Sequence, residues 1–154
     1  MKKATKDDIN IIKEAFIEHY SDAVTELNYK NDYELLIAII LSAQCTDKRV
    51  NIITPALFEK YPTVFDLSCA NLDDVKKLIN SCSFFNNKAQ NIIKMARSVI
   101  ENYDGNIPHD QKELMKLAGV GNKTANVFMI EFEQENLMAV DTHVFRVSHR
   151  LGLS

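Results

Sequence analysis

Apolar residues recur at helical spacing along almost the whole chain, and that periodicity constrains the fold more than any other feature. Ile9, Ile12, Phe16 and Tyr20 share one helix face. Leu72, Val75, Leu78 and Ile79 form a second stripe. Ala89, Ile92, Ile93, Ala96, Val99, Ile100 and Tyr103 form a third. No strand-like alternation of useful length interrupts them. Only 4 glycines and 3 prolines occur in 154 residues, too few for the many tight turns of an all-β fold. The expected fold is all-α, with about nine helices.

Polar residues punctuate the helices. Thr5 with Asp8 resembles a capping box, with Asp in place of the usual Glu or Gln. Asp32 can cap the next helix, which runs to about Ala43. That segment is apolar on nearly every side, so it is expected to be the central buried helix. Thr46 or Asp47 starts another helix, through Lys60, and Pro62 opens a short helical turn. Asn71 caps the stripe that begins at Leu72, and Asn86 or Asn87 opens a long helix ended by Asp104-Gly105-Asn106. Asp110-x-x-Glu113 reads as a second capping box. Gly119 and Gly121 then mark a tight helix–hairpin–helix turn before a helix over Thr124 to Glu131. After a polar break at Gln134 to Asn136, Asp141 can cap a last helix, Thr142 to Leu151.

Bulk properties narrow the class. The longest apolar run is seven residues, Leu35 to Leu41, against roughly 20 for a membrane span. The N-terminus is charged and polar, without the apolar core of a signal peptide. Cys45, Cys69 and Cys82 show neither CxxC pairing nor zinc spacing, which suits reduced thiols in a cytoplasmic protein. The net charge of −3 is unusual for a nucleic-acid binder, but local basic groups can dominate. Lys112, Lys116 and Lys123 cluster, and Arg146 and Arg150 lie one helical turn apart.

The densest chemistry lies in LAGVGNKTANVF and VDTHVFRVSHR. Gly119 and Gly121 leave backbone amides unobstructed at a helix N-terminus, a ready site for a phosphate. An ordinary loop between two packed helices would also use them. Lys123 falls in the first turn of the following helix, where the helix dipole disfavours an ammonium and desolvation would act the same way. A nucleophilic lysine needs a neutral amine. Asp141 is at least an N-cap, and a cap also fixes a carboxylate in space.

Four ordered segments together carry a resemblance. LAGVGNKTAN resembles the LPGVGxKTAN hairpin of the endonuclease III family, and VDTHVFRV resembles its VDTHxxRV segment. Upstream, LLIAIILSAQCTD is similar to its LLxAxxLSAQxTD, and FFNNKAQNIIKMA to its xYNxKAxNI. The similarity runs from about Glu26 to Arg150. It implies a helix–hairpin–helix DNA glycosylase fold, with a six-helix barrel lobe over 22–135 holding the hairpin at about 112–131. Residues 1–21 and 136–154 would belong to a second, incomplete helical lobe. It implies a bifunctional DNA N-glycosylase and AP lyase of base-excision repair. Its partner would be damaged duplex DNA carrying an oxidised pyrimidine, with no membrane and no obligate protein partner. The location would be cytoplasmic, nucleoid-associated when bound to DNA.

The resemblance also assigns residues. Lys123 matches the catalytic lysine and Asp141 the catalytic aspartate, expected to face each other across a cleft between the lobes. Lys123 would attack C1′ of a flipped nucleotide and pass through a Schiff base to β-elimination. Asp141 would stabilise positive charge on the sugar. Gln44 matches the residue that fills the hole left by the flipped nucleotide, and Phe84 aligns with an apolar wedge between the strands. Gly119, Val120, Gly121, Thr124, His143 and Arg146 match the family's DNA-contacting segments, with Arg146 able to reach a phosphate and His143 a hydrogen-bonded structural residue.

The chain also departs from the family. Ala118 replaces the proline before GVG, and Ser83 replaces the glycine of the GLYN stretch. Many members carry C-x6-C-x2-C-x5-C near the C-terminus, ligating a 4Fe-4S iron–sulfur cluster. The sequence ends at Ser154 before such a segment, so no cluster and no other cofactor or metal is expected in this chain. The first and last helices are then expected to expose apolar faces. Two alternatives remain open on the sequence: a glycosylase for another lesion such as 8-oxoguanine, and a non-catalytic DNA-binding helix–hairpin–helix module.

Overall fold

In the computed structural model, which describes residues 3–154, nine helices and no strands occur among the described residues. In chain order they are α1 (Lys6–Tyr20), α2 (Asp32–Ser42), α3 (Asp47–Lys60), α4 (Val64–Ser68), α5 (Leu72–Leu78), α6 (Phe85–Tyr103), α7 (Gln111–Leu114), α8 (Asn122–Glu133) and α9 (Thr142–Arg150). The chain divides into two compact units. One is Glu26–Met138 and the other joins Met1–Thr25 to Ala139–Ser154.

The larger unit is built around α2. Every residue from Tyr33 to Leu41 is buried, as the unbroken apolar run predicts. Complete burial of an aliphatic side chain contributes about 1.5–3 kcal/mol, so this one helix is the main source of cohesion. It packs against α3, α6 and α8, while α4 and α5 cover α6. Asn31 rather than Asp32 is the α2 cap, accepting from the Glu34 amide at 2.9 Å. Asp32 lies one position inside, and its carboxylate meets His109 Nε2 at 3.1 Å. His109 Nδ1 meets Glu133 at the end of α8, and its ring packs on Phe128 and Phe132. One imidazole thus ties the start of α2 to the end of α8.

The helix–hairpin–helix is α7, the turn Met115–Gly121, and α8. Asp110 caps α7 through the Lys112 and Glu113 amides. The expected reciprocal half of that capping box is absent, because Glu113 accepts from Tyr103 Oη at 2.8 Å and from Lys116 at 2.6 Å instead. Lys116 is therefore engaged by a carboxylate rather than standing as a bare member of the basic cluster. Helix α8 begins at Asn122, two residues earlier than the periodicity indicates, with Gly121 as its cap. It buries Ala125, Phe128 and Met129.

In the smaller unit, Thr5 and Asp8 form a true capping box for α1, the shorter Asp side chain reaching the Thr5 amide at 2.8 Å. Asp141 caps α9. Neither α1 nor α9 buries a residue, and Ile9, Phe16, Ile17, Phe145, Val147 and Leu151 stay exposed. The Ala4 amide donates to the Gly152 carbonyl at 3.0 Å, closing the two segments of this unit on each other.

Candidate nucleic-acid interface and active site

The hairpin glycines have different jobs. Gly119 adopts φ +81°, and a Cβ there would come within 3.1 Å of Asn91 Cβ and 3.4 Å of Ile40 Cγ2. Only glycine combines that backbone angle with that close approach. Gly121 has φ −94°, and a Cβ at that position would meet nothing within 4 Å, so its value is open access to the head of α8. Gly121, as the cap residue, makes no side-chain hydrogen bond to that N-terminus. The amide end of a helix left open in this way attracts anions. The Val120 amide, by contrast, is used inside the turn, donating to the Leu117 carbonyl at 3.2 Å, and the Val120 side chain is buried. Val120 thus holds the turn's shape.

Lys123 is the second residue of α8 and is exposed, with Thr124 half-buried beside it. A residue that sequence reasoning passed over lies in the same unit. Asp47, the first residue of α3, has its carboxyl pushed up by burial and by the charge of Glu26, and pulled back down by Lys123. Asp47 and Lys123 therefore share one electrostatic environment. The signal was the last letter of LLIAIILSAQCTD, where an Asp at a helix start looks like simple end-capping chemistry.

Gln44 and Phe84 occupy two neighbouring loops. Gln44 follows α2 with φ 52°, and Phe84 precedes α6 with φ 55°. A left-handed backbone costs a non-glycine residue roughly 1–2 kcal/mol, so both positions are over-determined by their surroundings. Phe84 is the cap residue of α6, whose helix starts before the Asn86 or Asn87 expected from sequence. Its ring is 64% exposed, while Phe85 packs on the core. Gln44, Phe84 and Gly119 line a single groove of about 210 Å³, together with Ile40, Lys88 and Asn91. Lys88 is only 6% exposed. Its ammonium donates to the carbonyls of Leu41 at 2.8 Å and Ala43 at 2.6 Å, satisfying the open carbonyl end of α2.

The smaller unit carries the remaining candidates on one helix. Asp141 Oδ1 accepts from the amides of His143 at 2.9 Å and Val144 at 2.8 Å, fixing the carboxylate at the head of α9. Arg146 Nη2 lies 3.1 Å from His143 Nδ1. A guanidinium only donates, so Nδ1 is the acceptor and the imidazole proton sits on Nε2.

The chain matches the HhH-GPD superfamily base excision DNA repair protein family over residues 37–154. It is 49% identical to the endonuclease III of Rickettsia felis over 146 residues, covering 95% of this chain and 68% of that protein. Endonuclease III of Bacillus subtilis is 46% identical over 134 residues, covering 87% of this chain and 61% of that protein. The chain belongs to the endonuclease III family. A trapped endonuclease III–DNA covalent intermediate with an estranged adenine superposes with a TM-score of 0.93 at 46% identity, covering 98% of this chain and 71% of that one. A thermostable thymine-DNA glycosylase at 24% identity shares the fold, with a TM-score of 0.82. Family membership makes the activity that of a base-excision repair glycosylase with abasic-site lyase chemistry.

The residues present do not fit an iron–sulfur cluster. Among the described residues no three His, Cys, Asp or Glu side chains gather as a metal site. Cys69 is exposed, Cys45 is half-buried and Cys82 is buried. Burial, and then the hydrogen bond with Cys45, push the Cys82 thiol up against the pull of Lys88, the reverse of what a thiolate ligand requires. No helix among the described residues is long and apolar enough to cross a membrane.

Proposed function

We infer that this chain removes oxidised pyrimidines from duplex DNA and cuts the strand at the resulting abasic site, with Lys123 as nucleophile and Asp141 as its supporting carboxylate. The observation that carries the reading is the exposed Lys123 in the first turn of α8, behind the open Gly121. A relative of the same fold is known as a trapped covalent DNA intermediate. That outcome requires a nucleophile able to form a bond to DNA.

The chemistry follows from those groups. The Lys123 amine attacks C1′ of the flipped nucleotide, and the bond to the damaged base breaks, the base leaving with a proton. The sugar ring opens at O4′ and an imine forms between Nζ and C1′. Loss of a C2′ proton expels the 3′ phosphate, cutting the strand on the 3′ side. Positive charge develops on the sugar as the base departs, and the fixed carboxylate of Asp141 stabilises it. Gly119 and Gly121 let the hairpin approach a phosphate, Thr124 supports that approach, and Arg146, steadied by His143, takes another. Gln44 fills the gap opposite the orphaned base and Phe84 props the strands apart. The partner is damaged duplex DNA, and the place of action is the cytoplasm, on the nucleoid.

Excision from duplexes carrying thymine glycol or 8-oxoguanine tests the lesion class. Preferential release of thymine glycol supports the reading. Preferential release of 8-oxoguanine would assign the pocket to oxidised purines.

A further inference from the structure

Gln44 and Phe84 are distant in sequence, yet one hydrogen bond joins their loops. Ser83, the residue directly before Phe84, donates its hydroxyl to the Gln44 carbonyl at 2.7 Å. The neighbouring backbone is held from the same side. Cys82 Sγ lies 3.2 Å from the Leu41 carbonyl, and Lys88 reaches Leu41 and Ala43. The two central residues both sit in left-handed backbone, at φ 52° and φ 55°. Neither is glycine, so each conformation persists only while its surroundings hold it. For Gln44 the carbonyl is gripped by Ser83. The family's motif has glycine where this chain has Ser83, and glycine has no hydroxyl to give.

We propose that Ser83 is a positioning residue that clamps the Gln44 loop to the Phe84 loop, so that both side chains enter the duplex as one pre-formed plug. This rests on the reading of Gln44 and Phe84 as the residues that enter DNA. Two side chains on independent loops must each be ordered on binding, whereas a clamped pair meets the duplex already aligned, and less affinity is lost to ordering. Ser83 is itself exposed, so removing its hydroxyl leaves the core of α2 and α6 untouched.

The test uses the full chain and a duplex with a non-cleavable tetrahydrofuran abasic analogue opposite 2-aminopurine. Affinity is read by titration, and the stacking of the orphaned base by its fluorescence. Ser83→Ala is expected to weaken binding about five- to tenfold and to reduce the fluorescence change, with the melting temperature retained. Ser83→Thr, which keeps a hydroxyl, is expected to restore both. In a Gln44→Ala, Phe84→Ala background, Ser83→Ala should add no further loss, because the clamp acts only by placing those two side chains. Wild-type binding and fluorescence in Ser83→Ala would overturn the clamp while leaving Gln44 and Phe84 in place. A further loss from Ser83→Ala in that Gln44→Ala, Phe84→Ala background would also overturn it. If Gln44→Ala and Phe84→Ala themselves bind the analogue like wild type, the duplex-entry reading fails, and the clamp falls with it.

Discussion

The ammonium of Lys88, on α6, donates to the carbonyl of Leu41, near the end of α2, at 2.8 Å. A buried lysine is rare unless its charge is fully engaged, and here it closes the carbonyl end of the most buried helix in the protein. Lys88→Met keeps the volume and removes the donor. Each buried acceptor left unsatisfied costs about 1–3 kcal/mol. Denaturant unfolding should therefore show a loss of at least that size. The Gln44 loop should also become more protease-sensitive, because its approach runs through Ala43.

The hairpin glycines should differ in what the same change does to stability. Gly119→Ala places a methyl against Asn91 in a left-handed backbone, with an expected loss of about 1–2 kcal/mol or more. Gly121→Ala meets open space at φ −94°, and the melting temperature should hold. Abasic-duplex affinity should fall in both, since the second methyl stands where a phosphate would approach. Thermal unfolding beside a binding titration separates the two effects.

Asp47 should cost the fold stability at neutral pH. Burial and Glu26 raise its carboxyl pKa in the folded protein, so the folded state holds a proton more tightly than the unfolded chain. A raised pKa favours folding below the unfolded value of 3.8, and that benefit is lost as pH rises through the folded value. Asp47→Asn is thus expected to be more stable than wild type at pH 7, with the advantage vanishing below about pH 4. Unfolding curves at pH 7 and below about pH 4, wild type beside Asp47→Asn, check it.

Much of the fold was legible because it is local. The unbroken apolar run from Leu35 to Leu41 announces a central helix, and the caps at Thr5, Asn71 and Asp141 lie next to the donors they satisfy. Misreadings arise where a side chain had a distant competitor. Asp32 was drawn to His109, leaving the cap to Asn31, and Glu113 was drawn to Tyr103 and Lys116 instead of its own helix end. The early start of α6 at Phe85 depends on Phe84 accepting a left-handed backbone, which nothing in its local sequence favours. The Ser83–Gln44 bond and the reach of Lys88 to Leu41 span 39 and 47 residues and depend on how α2 and α6 pack, so no short-range pattern encodes them.

The central claim is that Lys123 forms the covalent bond to DNA. Borohydride trapping on a duplex with one abasic site, with wild type and Lys123→Ala side by side, tests it directly. A stable protein–DNA adduct from the intact chain and none from Lys123→Ala is the predicted result. An adduct of equal yield from Lys123→Ala, or none from the intact chain, would contradict it.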